Sequence, residues 1–246
     1  RRWAAVESPN ITALEGEPPI FWTAARGANV RDADGNVYVD LTSGFSVTAT
    51  GHANPRVAAA IGRQAATLAH GLGDVYPPEV KVRLLERLAE VAPGGLGVSI
   101  LGSAGTEAVE AAWKTAVMHT GLPGVVAFEG GYHGLTLGSL AATSRADFRE
   151  PFLGQLYTGV RFVPFPNPYR APDAVAAADA SLAAVRQQVE ASESTDAPVG
   201  AVLVEPIQGR GGLVVPPNGF LQRLRELCDE LGVVLIFDEI YVGFGR

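Results

Sequence analysis

The sequence predicts an α/β fold, a mostly parallel sheet flanked by helices, and three observations carry that expectation. Apolar runs at Val98–Leu101, Val125–Phe128, Val199–Val204 and Val233–Phe237 lack the alternation of a half-wet strand, so each reads as a strand covered on both faces. The stretches between them are long and periodic enough for helices, which gives the βα rhythm of a parallel sheet. Third, 47% apolar and 18% charged residues over 246 positions supply ample core for one or two domains and exclude disorder.

Taken in order, Asn29–Asp32 and Val37–Asp40 flank the turn Asp34-Gly35-Asn36 and form a small β ribbon. Asn54 is a good N-cap with Pro55 at the first helical position, and Val57, Ile61, Ala65 and Leu68 follow at helical spacing up to Gly71. A second helix spans Pro78 to Val91 and stops at Pro93-Gly94-Gly95. After the strand at Val98–Leu101 come a helix from Ser103 to His119, the strand Val125–Phe128 and a helix from Leu135 to Thr143. Then follow a strand from Val160 to Pro164 and an Ala-rich surface helix from Asp173 to Ser192. Val199–Val204, a helix from Asn218 to Leu231 and Val233–Phe237 complete the last βαβ unit, with right-handed crossovers expected. The domains divide as 1–53, holding the ribbon, and 54–246, holding the sheet.

Composition removes several classes of function. With 19 Lys+Arg against 26 Asp+Glu the net charge is −7, the wrong sign for a nucleic-acid partner. No stretch approaches the roughly 20 apolar residues of a membrane helix. The opening Arg1-Arg2-Trp3 is not followed by the apolar core of a signal peptide, so a soluble, cytoplasmic protein is expected. The single Cys228 excludes an internal disulfide and reads as core, in the rhythm of Leu221, Leu224, Leu227 and Leu231. His52, His70, His119 and His133 are not at metal-ligand spacing, so no metal site is expected. An initiator Met is absent and the chain stops at Gly245-Arg246 just after an apolar run, which is expected of a piece of a longer protein.

In an open parallel sheet a ligand sits beyond the carboxyl ends of the strands, and four such places carry unusual residues. Leu101-Gly102-Ser103-Ala104-Gly105-Thr106-Glu107 turns from strand to helix; its free amides and hydroxyls suit an anion such as phosphate, or Ser103 or Thr106 simply caps the helix. Glu129-Gly130-Gly131-Tyr132-His133-Gly134 presents an aromatic and an imidazole between glycines, either for a ligand or as a flexible loop. Glu205, opening Glu205-Pro206-Ile207-Gln208-Gly209-Arg210, is a carboxylate at the edge of an apolar run, and reads as an anchor rather than a site residue. Asp238 follows five apolar residues, and a buried carboxylate there needs a cationic or multiply hydrogen-bonding partner. A bound pyridinium would be one.

Together these segments resemble the class III, fold type I, pyridoxal-phosphate-dependent aminotransferases. The resemblance runs from Asp32-Ala33-Asp34-Gly35-Asn36-Val37-Tyr38-Val39-Asp40 and Ser43-Gly44, through Gly51-His52-Ala53-Asn54-Pro55, to Asp238-Glu239 and Gly243-Phe244-Gly245-Arg246. It implies pyridoxal 5'-phosphate as cofactor, with Ser103, Gly105 and Thr106 at its phosphate. Tyr132 would stack on its ring with His133 beside it, Asp238 would pair with the pyridine nitrogen, and Glu205 would have a supporting role. Phe45 falls where the family places a bulky residue at the substrate pocket. It implies further that 1–53 belongs to a small domain, that 54–246 is an incomplete cofactor-binding large domain, and that the complete enzyme is a homodimer moving an amino group from an amine or amino acid to a keto acid or aldehyde.

Three departures qualify the resemblance. Arg210 stands where many members carry Glu paired with a carboxylate-binding arginine, so it is either a substrate-carboxylate ligand or a solvent-facing residue. Tyr241 stands where many have Gln near the cofactor's phenolic oxygen. The family's Schiff-base lysine falls beyond Arg246, and neither Lys81 nor Lys114 replaces it, so this chain holds no catalytic base of its own. Alternatives on the same scaffold are an aminomutase, a racemase or a decarboxylating transaminase; outside it, a non-catalytic truncated pseudo-enzyme.

Overall fold

A computed structural model describes Val6, residues 19–73 and residues 75–245. The opening Arg1-Arg2-Trp3 and the closing Arg246 lie outside the described residues. The chain divides into two compact units, Arg1–Arg87 and Leu88–Arg246.

In the first unit β1 (Trp22–Arg26), β2 (Asn29–Asp32) and β3 (Val37–Val39) form an antiparallel sheet in the order β1-β2-β3. The expected ribbon is β2 and β3, and β1 extends it. Asp32 organises the intervening turn: Oδ1 accepts the amides of Asp34 (3.0 Å) and Asn36 (2.8 Å), and Oδ2 accepts Asn36 Nδ2 and the Tyr38 hydroxyl. The Asn36 side chain leads the contacts that hold its carboxyl below the usual range. Asp40 does the same for the short turn α1 (Ser43–Ser46), accepting Gly44 N at 2.7 Å and His52 Nε2 at 2.7 Å. Ser43, Gly44, Phe45 and Ser46 all have φ between 54° and 64°, a left-handed run that L residues adopt only when their surroundings dictate it. α2 (Pro55–Thr67) begins as its sequence indicates, with Asn54 Oδ1 accepting the amides of Arg56 and Val57. α3 (Glu79–Val91) spans the boundary between the units.

The second unit is the parallel sheet. In chain order it contains α4 (Gly105–Thr120), β4 (Gly124–Phe128), α5 (Leu137–Ala142), α6 (Ala146–Arg149), β5 (Val160–Val163), α7 (Ala174–Ser192), β6 (Val199–Val204), α8 (Phe220–Leu231) and β7 (Val234–Phe237). The strands run in the order β5-β4-β6-β7 and every pair is parallel. All residues of β4 and β6 are buried, and the pleat divides them between two cores. Val126, Phe128, Val202 and Val204 pack with Val185 of α7 and with Phe220, Leu224 and Cys228 of α8. Val125, Ala127, Ala201 and Leu203 pack with Val109, Trp113 and Ala116 of α4. An apolar run without alternation is thus a strand with a helix layer on each side. Burial pushes the Cys228 thiol up to about 11, as befits a core residue.

Helix ends follow the local signals. Asp173 caps α7 by accepting the amides of Val175 and Ala176, and Gly232 ends α8 in the left-handed conformation. One expected element is absent: Val98–Leu101 is not a strand, and Val98 and Ile100 are 98% and 79% exposed. An apolar run becomes a strand only where a neighbour pairs its amides and carbonyls, and no described strand lies beside it.

Candidate functional site

The carboxyl ends of β4, β6 and β7 bring three loops together. Asp238, directly after β7, donates its amide to Val204 O of β6 at 2.8 Å, which fixes where its side chain starts. Its Oδ2 lies 2.8 Å from His133 Nδ1 and its Oδ1 accepts Ile240 N at 3.1 Å. His133 is held from the other side by its amide, which donates to Thr143 Oγ1 at 2.9 Å. Both side chains are sealed, 1% and 3% exposed, and His133 Nε2 has no hydrogen-bond partner. A carboxylate only accepts, so the imidazole proton sits on Nδ1.

Glu205, directly after β6, is also buried. Its Oε1 accepts Tyr132 N at 2.8 Å and its Oε2 accepts Gly209 N at 2.9 Å. One carboxylate thereby ties the loop after β4 to the loop after β6, which is the anchor role its position suggested. Burial raises its pKa, opposed by those two amides and by His133. Gln208 adds a second tie through Nε2 to Glu129 O at 2.8 Å. The loops approach so closely that a Cβ on Gly130, whose φ is +82°, would lie 2.7 Å from Gln208 Oε1. Gly130 is needed there for space and for conformation.

These ties hold an aromatic and cationic group together. The Arg210 guanidinium carbon lies 4.4 Å from the Tyr132 ring centre and 5.4 Å from that of Phe148. Tyr132 and Phe148 meet edge to face at 6.1 Å, and Arg145 covers Phe148 at 4.4 Å. Tyr241 is beside them: burial raises its phenol pKa, and the Arg210 guanidinium opposes the shift.

The start of α4 is the remaining part. Gly105 packs against Ile240, two residues past Asp238, so closely that a Cβ would stand 2.8 Å from Ile240 Cδ1. The capping alternative fails, because the N-cap is Ala104, which makes no side-chain cap. Thr106 instead shares its hydroxyl with Thr136 and Ser139, and Thr136 donates to Glu110. Ser103 gives its amide to Glu107 Oε2 at 2.7 Å. The leading amides of a helix have no earlier turn to receive them, and here they start beside the end of β7. Amides able to receive an anion at that point, an aromatic face at Tyr132 and a carboxylate at Asp238 suit a phosphorylated pyridine ring.

Of the residues expected at the site, Gly105, Thr106, Tyr132, His133, Glu205, Arg210, Asp238 and Tyr241 lie on the loops and helix start just described, and Ser103 is two residues before α4. Phe45 belongs to the other compact unit, at the tip of its left-handed turn and 61% exposed. Phe148, Arg145, Thr143 and Gln208 were not anticipated. Gln208 sat in view within Glu205–Arg210, whereas Phe148 and Arg145 carry no sequence signal of their own. Among the described residues no group of three or more His, Cys, Asp or Glu is placed to hold a metal, and no helix is long and apolar enough to cross a membrane.

The family model described as aminotransferase class-III matches residues 11–246. An acetylornithine aminotransferase of Methanopyrus kandleri is 39% identical over 228 residues, 93% of this chain and 53% of that protein. A putrescine aminotransferase of Pectobacterium atrosepticum is 36% identical over 92% of this chain and 46% of its own length. Among solved structures, a thermostable (S)-enantioselective omega-transaminase from Thermomicrobium roseum superposes with a TM-score of 0.91 at 27% identity, covering 100% of this chain and 57% of that one. An amine transaminase from an uncultivated Pseudomonas species, in its PLP-bound form, gives 0.86 at 28% identity over 98% of this chain and 56% of its own. The chain spans about half the length of the curated relatives it matches.

Proposed function

The chain belongs to the class-III aminotransferase family, and on that premise we propose that it is the cofactor-binding core of an enzyme that moves an amino group from an amine or amino acid to a keto acid or aldehyde. Pyridoxal 5'-phosphate is the cofactor of this family. When bound it supplies the electron sink for breaking a bond at the amine carbon. The observation that carries the reading is the buried Asp238 at the end of β7, oriented by His133 and by Ile240 N. A carboxylate so placed would favour a protonated ring nitrogen, because pairing with that cation would offset the hydration the carboxylate loses on burial.

Each other residue has a positioning task in this proposal. The amides of Gly105 and Thr106, with the nearby hydroxyls, would receive the phosphate. Ser103 would border the phosphate, and Tyr241 would stand near the cofactor's phenolic oxygen. Tyr132 presents a ring face, and Glu205 keeps that face in register by holding Tyr132 N and Gly209 N together. Phe45 is assigned to the substrate pocket. Residues 1–53 are assigned to a small domain and 54–246 to an incomplete large domain, and a cytoplasmic homodimer is the proposed state of the whole protein.

The Schiff-base lysine is assigned to sequence beyond Arg246. Lys81 belongs to the first unit, where its Nζ donates to Gly73 O. Lys114 is nine residues into α4, about 14 Å along the axis from its start, in a cleft lined by Trp113, Val117 and Tyr157. Residues 1–246 alone are accordingly expected to be inactive. The test is amino transfer by the full-length protein, followed with ¹⁵N-labelled amine donors and a panel of carbonyl acceptors. Label appearing in the acceptor supports the proposal, and its absence from every acceptor in the panel contradicts it.

A further inference from the structure

We propose that Glu110, acting through Thr136, turns the Thr106 hydroxyl proton away from the phosphate and so limits how tightly this site holds a phosphate monoester; this rests on the pyridoxal phosphate reading above and adds a positioning residue to it.

The direction of the hydroxyls follows from counting protons. Thr106 and Glu110 of α4 meet Thr136 and Ser139, which lie just before and within α5. Each hydroxyl has one proton to give, and a carboxylate only accepts. Thr136 gives its proton to Glu110. In the contact between Thr106 and Thr136 the proton must then come from Thr106. In the contact between Thr106 and Ser139 it must come from Ser139, which is farther from Thr136, at 3.1 Å from the hydroxyl and 3.2 Å from the carbonyl. The order is therefore Ser139 to Thr106 to Thr136 to Glu110, and Thr106 has no proton left for an anion.

Two glycines let the surrounding backbone close on this chain of oxygens. A Cβ on Gly134 would stand 2.7 Å from Thr106 Oγ1 and 2.6 Å from Ser139 Oγ, and one on Gly138 would stand 2.7 Å from Glu110 Cδ. Ser139 is fully buried. Glu107, three residues before Glu110, receives the Ser103 amide instead, so the two carboxylates near the start of α4 have separate tasks.

The consequence is a cost placed on one phosphate contact. For Thr106 to donate to a phosphate oxygen it must release Thr136, which leaves two hydroxyl oxygens facing each other with no proton between them. That contact is made at the expense of a bond the protein already has. The leading amides of α4 carry no such cost, since no earlier turn receives them. Cutting the chain between Glu110 and Thr106 should free the Thr106 proton and strengthen the site.

The experiment uses the full-length protein freed of cofactor, titrated calorimetrically with inorganic phosphate. Thr136→Val keeps the Glu110 charge and cuts its link to Thr106; it is expected to bind phosphate about 3- to 10-fold tighter, the worth of one neutral hydrogen bond. Thr136→Ser restores the chain and should keep the parent affinity. Glu110→Gln should also bind tighter, by loss of a nearby negative charge as well as through the freed chain. Glu110→Gln combined with Thr136→Val should gain less than the product of the two single gains, because both act on one chain. Pyridoxal, which lacks the phosphate, is the control, and its affinity should not change in Thr136→Val. Misfolding weakens binding, so a gain is not explained by damage. Phosphate affinity in Thr136→Val that equals or falls below the parent's, single gains that multiply in full, or a gain shared by pyridoxal overturns the proposal and leaves the phosphate site standing. A parent protein that binds neither phosphate nor pyridoxal phosphate contradicts the reading of the site itself, and the proposal falls with it.

Discussion

His133 Nδ1 and Asp238 Oδ2 lie 2.8 Å apart although 105 residues separate them in sequence, and both side chains are closed to solvent. The two come from the ends of different strands, β4 and β7, so the contact exists only because the strands run parallel with β6 between them. Replacing Asp238 by Asn removes the charge and keeps the shape. In the full-length protein Asp238→Asn is expected to lower kcat by about 100-fold or more, the scale on which a single electrostatic group acts in a water-excluded site. Steady-state kinetics with one donor and one acceptor checks this. Asp238→Ala, which also strips His133 of its partner, should in addition cost about 1–3 kcal/mol of stability by denaturant unfolding.

Glu205 makes a prediction about pH. Burial raises its folded-state pKa above the ordinary 4.5, so the folded protein holds this proton more tightly than the unfolded chain. Its contribution to stability is fully present below the unfolded pKa and is lost as pH rises from about 4.5 through the folded value. Glu205→Gln should flatten that slope in unfolding curves taken across the window. Because an amide offers one acceptor oxygen to two backbone donors, the same variant should be less stable at neutral pH by about 1–3 kcal/mol.

At lower pH the slope reverses. Asp40, held down chiefly by His52, and Asp32, held down chiefly by Asn36, both have lowered pKa values. Their stabilising contribution is present above the unfolded value of 3.8 and lost as pH falls below it. Acid titration followed by fluorescence of Trp22, which meets His52 edge-on at 5.8 Å, should report loosening of the first unit in that range. Asp40→Asn should bring this loosening to higher pH.

Gly130→Ala tests the close approach of two loops. The new methyl would meet Gln208 Oε1 at 2.7 Å and the backbone there has φ +82°, so the expected loss is about 1–3 kcal/mol. Gly154→Ala, where a Cβ meets nothing within 4 Å and φ is not in the left-handed range, should be close to neutral. Thermal melts of the two variants side by side decide the matter.

Cys228 should be silent toward thiol reagents. It is fully buried and its thiol is pushed up to about 11, so little thiolate forms at pH 8. Labelling with a chromogenic disulfide at that pH should proceed only at the rate of unfolding, and should become immediate in denaturant.

Much of the fold was legible because its signals are local. Asn54-Pro55 announces α2, Gly232 ends α8, and the unbroken apolar runs of β4 and β6 announce burial on both faces. The same rule misread Val98–Leu101, since an apolar run shows the capacity to be a strand while pairing depends on a neighbour elsewhere in the chain. β1 was missed for the opposite reason: Trp22-Thr23-Ala24-Ala25-Arg26 has no periodicity, and it is a strand only because β2 pairs with it. At the site, Asp238, Glu205 and Tyr132 stood out at the ends of apolar runs. The stack of Arg210, Tyr132 and Phe148 did not, because loops 16 and 62 positions from Phe148 bring it together and no local pattern records that.

Asp238, His133, Tyr132 and the start of α4 are proposed to form a pyridoxal phosphate site. Its most direct test is the absorbance spectrum of the full-length protein titrated with pyridoxal phosphate, beside Asp238→Asn and residues 1–246 alone. The expected results are a visible band in the full-length protein that borohydride fixes to one lysine beyond Arg246, an altered band in Asp238→Asn, and no borohydride-fixed adduct at Lys81 or Lys114 in the shorter chain. A full-length protein that gains no band, or one whose band is indifferent to Asp238, would contradict it.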